Sequence, residues 1–174
     1  MKRMIYLIAA ISLVLSSCTL ETSDNGDFDG FWHLERVDTL ATGNYLDLSK
    51  ERVFWGVQHK LISCASITPT NMYSFRGYYF RFEQTGDSLI LHSPYKNNWH
   101  QDHGENGGDI PATVVNDSIR SYGINNLREA FYKEKLKGDK MMLRSKMLRL
   151  YFTKFYILYK IFGILKTSVY FCTK

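Results

Sequence analysis

Residues 78–93 contain the clearest pattern in the chain and read Tyr-Tyr-Phe-Arg-Phe-Glu-Gln-Thr-Gly-Asp-Ser-Leu-Ile-Leu-His-Ser. Every second residue from Tyr78 to Phe82 is aromatic, and a period of two is typical of a β-strand buried on one face. Thr85-Gly86-Asp87 has the composition of a hairpin turn, after which alternate leucines resume the pattern. We predict two antiparallel strands here, Tyr73–Gln84 and Ser88–Ser93.

Six further segments have β-rich or alternating sequence and flank this hairpin. They are Phe31–Asp38, Arg52–Gln58, His59–Ile67, Phe131–Lys137, Lys140–Ser145 and Met147–Phe155. One short helix is expected at Ile124–Ala130. Eight antiparallel strands must close or form a sandwich to protect their edges. We therefore predict an all-β fold, and favour a closed eight-stranded antiparallel barrel over a sandwich.

The charge of the chain does not indicate a nucleic-acid partner. The 174 residues carry a net charge of +5, but two of the 22 basic residues precede residue 18 and four follow residue 150. All 17 acidic residues lie between these points, so residues 18–150 have a net charge of −1. Binding to nucleic acid needs clustered cations on the folded domain. An aromatic content of 15% also argues against a disordered chain.

The first 17 residues have the organisation of a signal peptide. Lys2 and Arg3 precede the apolar run Met4–Leu15, which is too short to span a bilayer comfortably. Leu15-Ser16-Ser17-Cys18 resembles the lipobox of bacterial lipoproteins. This resemblance implies cleavage before Cys18 and attachment of lipid to its thiol. Two or more acyl chains make a stable anchor.

The polar residues that follow Cys18 are expected to form a flexible tether, so that residues 18–29 link the lipid to the domain. Their acidic character loosely resembles the surface-export signals of Bacteroidetes lipoproteins. We expect a protein of the outer membrane, and the sequence leaves open whether it faces the periplasm or the cell exterior.

Gly30-Phe31-Trp32 resembles the Gly-x-Trp signature of the lipocalin superfamily. Together with the strand pattern and with Gly108-Asp109-Ile110-Pro111 and Tyr122-Gly123-Ile124, residues 28–155 resemble the lipocalin-like lipoproteins of Bacteroidetes, which have calycin-type barrels. This resemblance implies a small barrel in which the indole of Trp32 plugs one end.

Classical lipocalins also place a late basic residue across that tryptophan ring. Arg149 has the wrong parity for this contact if Leu148 and Leu150 point inward, whereas Lys154 has the right parity but lies at a strand end. The chain also lacks the Thr-Asp-Tyr triplet that many classical lipocalins carry. The sequence therefore does not decide whether the barrel closes.

Six aromatic residues are predicted to point into the barrel. If the barrel is wide they line a cavity for a small hydrophobic ligand, and if it is narrow they fill a packed core. These candidates are Trp32, Trp55, Tyr78, Phe80, Phe82 and Phe152.

Residues of other chemistry are sparse. The side chains with the chemistry to bind a divalent metal are His100 and His103 together with Asp102 or Glu105. A solvated loop is the simpler interpretation, so we predict no metal site. Cys64 is interpreted as a core residue rather than a nucleophile, and pairing with Cys172 is an alternative. We predict no catalytic residues, no cofactor and no enzyme activity.

Residues 156–174 form an apolar, basic tail with three interpretations. They can be a segment at the membrane interface, a transmembrane helix interrupted by Lys160 and Lys166, or an extension without a selected role. The domain itself is assigned to residues 30–155. The sequence thus predicts a membrane-anchored lipocalin-like lipoprotein that binds a small hydrophobic ligand. The alternative is a non-enzymatic structural or interaction module of the envelope that docks an unknown protein or a glycan.

Overall fold

Ten strands form one antiparallel sheet in the computed structural model, which describes residues 23–67, 77–98 and 108–156. A single 3-10 turn, Gly26–Phe28, precedes the first strand, and one helix, α1 (Asp117–Ser121), precedes β8. The strands are β1 (Gly30–Thr39), β2 (Tyr45–Asp47), β3 (Val53–Gln58), β4 (Leu61–Ser66), β5 (Tyr78–Thr85), β6 (Ser88–Lys96), β7 (Ile110–Pro111), β8 (Glu129–Lys137), β9 (Lys140–Arg144) and β10 (Leu148–Lys154).

The first and last long strands pair with each other and close the sheet into a barrel. Trp32 lies opposite Lys154, and Thr39 lies opposite Leu148. The barrel contains eight strands in the order β1-β3-β4-β5-β6-β8-β9-β10, while the short strands β2 and β7 attach to β1 and β6. The predicted eight-stranded antiparallel barrel is therefore confirmed.

Each predicted strand corresponds to an observed one, and the differences lie at turns. The segment predicted to start at His59 begins at Leu61, because His59 has a positive φ of 53° and belongs to the turn. Strand β6 continues to Lys96, beyond the predicted end at Ser93. The first residues of the segment Tyr73–Gln84 lie outside the described ranges.

The helix predicted at Ile124–Ala130 is wrong. The helix lies earlier, at Asp117–Ser121, where the Asn116 side chain accepts a hydrogen bond from the Ile119 backbone N–H. An asparagine at this position caps the free amides of the first turn. Gly123 has a φ of +80° after the helix, and β8 begins at Glu129, so the predicted segment is a turn that leads into a strand.

The N-terminal boundary of the domain also differs from the expectation. We expected the flexible tether to reach Asp29, but residues 23–29 pack across one end of the barrel. Phe28 is fully buried and Asn25 is 6% exposed. The polar side chains of this segment form hydrogen bonds with the β3–β4 turn. Although its composition is typical of a linker, the segment is therefore part of the folded domain. We call residues 23–29 the N-terminal segment and the end that it covers the closed end.

Several predicted features lie outside the described residues. These are the signal peptide 1–17, the lipidation site Cys18, the loop with His100 and His103, and the tail from residue 157. No helix within the described ranges is long and apolar enough to cross a membrane.

Candidate functional site

The interior of the barrel is one apolar cluster, and its closed end is built around two aromatic rings. Trp32 and Phe28 are both fully buried. The indole N–H of Trp32 donates to the Phe28 carbonyl at 2.8 Å, and the Phe28 ring meets Phe82 edge to face at 5.3 Å. The N-terminal segment thus completes the apolar layer at the closed end, which contains Trp32 and Phe28 and which we call the floor.

A cation lies across the same indole. The Lys154 ammonium is 4.7 Å from the centroid of the Trp32 ring and donates to the Asp27 carbonyl at 3.0 Å. Arg149, the other candidate, points outward and pairs with Glu134. The sequence left this contact open because Lys154 has the right parity but lies at a strand end. In the structure that strand end lies beside the floor, and Lys154 makes the contact. Burial lowers the pKa of Lys154, although Asp27 and Asp29 oppose this shift.

The middle layer of the core surrounds Trp55, which is fully buried. Its ring lies 5.0 Å from Phe152 and 6.0 Å from Phe131. Its indole N–H donates to the carbonyl of Tyr122 at 3.2 Å. A ring in the middle of the barrel is therefore bonded to backbone that lies outside the sheet.

That backbone belongs to residues 112–124, which we call the mouth segment because it covers the end of the barrel opposite the closed end. Ile119 and Ile124 are fully buried and Tyr122 is 4% exposed. The Asn116 amide donates to the Tyr78 hydroxyl at 2.6 Å. Burial, together with neighbouring Cys64 and Tyr78, raises the pKa of Tyr122 to about 12, so its phenol is neutral at physiological pH.

The mouth segment is held by close packing as well. Gly123 adopts a positive φ of 80°, and a Cβ there would lie 2.6 Å from a methyl group of Leu150. Just beyond, the buried carboxylate of Glu129 accepts hydrogen bonds from the Asn125 backbone and from the Asn126 side chain. Every buried side-chain nitrogen or oxygen in the described ranges has a hydrogen-bond partner.

All six aromatic residues that the sequence selected belong to this core. The structure brings them together with apolar residues that the sequence analysis did not select, above all Phe28, Ile119, Tyr122 and Phe131. The capping residue Asn116 was a readable signal for the segment that carries Ile119. Phe28 lies in a polar, acidic stretch, so the sequence before Gly30 did not indicate that Phe28 is a core residue. The six selected residues are Trp32, Trp55, Tyr78, Phe80, Phe82 and Phe152, with exposures of 8% or less.

The other candidate chemistry has no assembled site within the described residues. Cys64 is fully buried in the core, and desolvation raises the pKa of its thiol well above the ordinary value, which disfavours the nucleophilic thiolate. The described ranges contain no cluster of three His, Cys, Asp or Glu side chains that could hold a metal ion.

A closed antiparallel barrel with an apolar interior, an aromatic floor and a lysine across the floor tryptophan defines a calycin-type architecture. The chain belongs to the lipocalin-like domain family, whose model matches residues 13–155. This fold commonly binds hydrophobic ligands and is typically non-enzymatic.

Two solved structures are similar to this chain. One is a lipocalin-like protein from Bacteroides uniformis ATCC 8492, with a TM-score of 0.52, 18% identity, and coverage of 75% of this chain and 100% of that one. The other is an uncharacterized protein from Bacteroides eggerthii DSM 20697, with a TM-score of 0.50, 14% identity, and coverage of 73% and 98%. At these identities the likeness shows the fold. No curated protein matches the chain.

Proposed function

We propose that this protein is a lipid-anchored lipocalin of the cell envelope and that its barrel binds a small hydrophobic ligand beneath the mouth segment. The observation that carries this proposal is the contact between Trp55 and Tyr122. An aromatic ring in the middle of an apolar barrel is covered by a short helix and its flanking loops rather than by a strand. Such a cover can move without breaking the hydrogen-bonded sheet.

The mouth segment itself indicates the chemistry of the ligand. Ile119, Tyr122 and Ile124 fill the space next to Trp55 with apolar groups. A ligand that replaced them would exchange one apolar contact for another, and burial of its own surface would contribute about 25 cal/mol per Å². Movement of the segment would also release the indole N–H of Trp55 and the Tyr78 hydroxyl. We therefore expect an apolar molecule with one hydrogen-bond-accepting group.

Ligand binding is tested by tryptophan fluorescence. In a Trp99→Phe background, Trp32 reports from the closed end and Trp55 from beneath the mouth segment. We expect saturable quenching by long-chain fatty acids or other hydrophobes, and its loss when Trp55→Phe is added. Quenching that never saturates with any member of a hydrophobe panel would count against the proposal.

The anchor is tested separately. Cys18 follows a lipobox-like sequence, and the membrane is the partner that the lipid would engage. Growth with an alkyne-bearing palmitate should label the wild-type protein, and Cys18→Ala should remove the label and release the protein from the outer membrane. An unlabelled wild-type protein would overturn the anchor and leave the ligand site untouched.

A second candidate function is docking of a protein partner, and the outer surface beside β2 favours it. The Arg36 guanidinium lies 4.3 Å from the ring of Tyr45 and 5.4 Å from that of Tyr151. Tyr45 is 63% exposed. Exposed tyrosine and arginine are enriched in interfaces. A photo-crosslinker at Tyr45 should capture one envelope protein that then binds the purified wild type more tightly than Tyr45→Ala. Equal binding would exclude this surface.

A further inference from the structure

Both ends of the described chain leave the barrel at the closed end. The N-terminal segment starts at Ser23 and runs beneath Trp32. At the other terminus β10 ends at Lys154, and the Phe155 backbone N–H donates to the Phe31 carbonyl at 2.6 Å. The residues before Ser23 and after Tyr156 are therefore joined to the barrel at this end rather than at the mouth.

The N-terminal segment is fixed to the barrel from its first described residue. The Ser23 hydroxyl accepts from the His59 backbone N–H at 2.8 Å and donates to Asp29 at 2.7 Å. The amide of Asn25 donates to Asp29 and to the His59 carbonyl. These bonds hold the segment to the β3–β4 turn from residue 23 onward.

The distance from the predicted lipid site to the barrel is consequently short. Cys18 precedes Ser23 by five residues. A fully extended chain of that length reaches about 18 Å. Strand β1 has ten residues and spans about 33 Å, so an anchor at Cys18 reaches the closed end but not the mouth of an upright barrel.

The outer wall at the closed end carries an aromatic cluster whose last two residues are exposed. Phe31 stacks on Phe54 at 4.6 Å, and Phe155 meets both rings edge to face. Gly56 leaves room beside the stacked pair, since a Cβ there would lie 3.3 Å from the Phe31 ring. Phe155 and the next residue, Tyr156, are 44% and 48% exposed. We call Phe31, Phe155 and Tyr156 the closed-end patch; Phe54, which packs against Phe31 and Phe155, is itself buried.

We infer that the closed-end patch rests against the lipid headgroups and that the mouth segment faces away from the membrane. This inference rests on the proposed anchor at Cys18. Aromatic side chains are favoured at the boundary between headgroups and acyl chains, because one part of the ring system is apolar and its edge or hydroxyl tolerates water. The membrane then stays clear of the mouth, and a ligand enters from the aqueous side.

The test uses the full lipidated chain in vesicles of phosphatidylethanolamine and phosphatidylglycerol that contain a headgroup-quencher lipid. A fluorophore is placed at Thr85→Cys in the closed-end hairpin or at Met147→Cys in a turn at the mouth, both in a Cys172→Ser background. Cys64 is buried and stays unlabelled. We expect the label at residue 85 to lose most of its fluorescence and the label at residue 147 to lose little. Equal or reversed quenching would overturn the inference.

Two variants separate the contributions of tether and patch. The first variant combines Phe155→Ser with a flexible insertion of about twelve residues between Leu20 and Glu21, which lengthens the reach of the tether severalfold. This variant should abolish the difference in quenching between the two labels. Tyr45→Ser, which removes a more exposed aromatic residue near the mouth, should leave the difference unchanged. If mass analysis shows no lipid on Cys18, the anchor itself fails. Intact lipidation with equal quenching refutes the orientation alone.

Discussion

The Lys154 ammonium and the Trp32 indole lie 4.7 Å apart at the closed end of the barrel, where they join the last strand to the first. The same ammonium donates to the Asp27 carbonyl, so one side chain connects β1, β10 and the N-terminal segment. Gly30 leaves room for the lysine stem, because a Cβ there would lie 2.9 Å from its Cε. One side chain thus contributes to both barrel closure and floor assembly.

Replacement of Lys154 should measure that contact. Lys154→Met keeps an apolar stem but removes the charge, and we expect the free energy of unfolding to fall by about 1 kcal/mol, the size of a partly buried cation–π interaction. Lys154→Arg should retain most of the stability. Urea denaturation gives the values, with Lys140→Met as the control at a half-exposed lysine. Equal effects at both lysines would contradict a special role for Lys154.

Gly77 tests how closely β4 and the chain before β5 approach. A Cβ at Gly77 would lie 1.7 Å from the carbonyl oxygen of Cys64, and only a backbone shift can relieve this clash. Gly77→Ala should therefore lower stability by several kcal/mol or prevent folding. Gly43→Ala is the control, because its site is open and only the positive φ of 72° adds a cost of about 1–2 kcal/mol. Similar melting temperatures would contradict the packing.

The bond between Trp55 and Tyr122 should control opening of the mouth segment. Trp55→Phe keeps a ring in the core but removes the hydrogen bond, at a cost of about 1–3 kcal/mol for the buried carbonyl left behind. Amide hydrogen exchange at residues 119–124 should become faster. Trp32→Phe removes the corresponding bond at the closed end and should leave this exchange unchanged. The interpretation fails if both variants accelerate it equally.

Acid sensitivity should arise in part from Glu134. Arg149 contacts this carboxylate at 2.7 and 3.0 Å and Arg144 at 2.7 Å. The hydrogen bond from Arg149 lowers the pKa of Glu134 below its ordinary value in the folded state, with Arg144 contributing. Its stabilising effect is present above the ordinary carboxyl pKa and is lost as the pH falls through the folded value.

Glu134→Gln should therefore show a smaller loss of stability than the wild type between about pH 5 and pH 3. The difference should be about 1 kcal/mol or less, since the three side chains are partly solvated. Denaturation at several pH values gives the comparison, with Glu83→Gln as an exposed control. If the stability of Glu134→Gln depends on pH as that of the wild type does, the ion pairs of Glu134 do not contribute to the acid sensitivity.

The barrel was predictable because several of its strands alternate clearly, as β5 does with Tyr78, Phe80 and Phe82. It was harder to predict whether Arg149 or Lys154 lies across the Trp32 ring. This prediction needs the register of β10 against β1, and β1 contains an irregularity between Leu34 and Arg36. Parity within β10 favoured Lys154, but the sequence could not place a strand end beside the floor.

The mouth segment was less predictable because its structure depends on tertiary contacts. Ile124–Ala130 has helical residues, yet Gly123 and the hydrogen bonds to Glu129 turn this stretch into the entry of β8. The short strands β2 and β7 contain three and two exposed residues, too few to show a period. Phe28 became a core residue only because the N-terminal segment folds beneath Trp32.

Native mass spectrometry of the lipidated protein, extracted from its own envelope without delipidation, shows directly whether the barrel holds a ligand. We expect an added mass from one small apolar molecule, retained by the wild type and lost when the Trp55 layer is disrupted by Trp55→Ala. A wild-type protein that carries only the lipid on Cys18, and gains no mass when incubated with a panel of hydrophobes, would contradict this expectation.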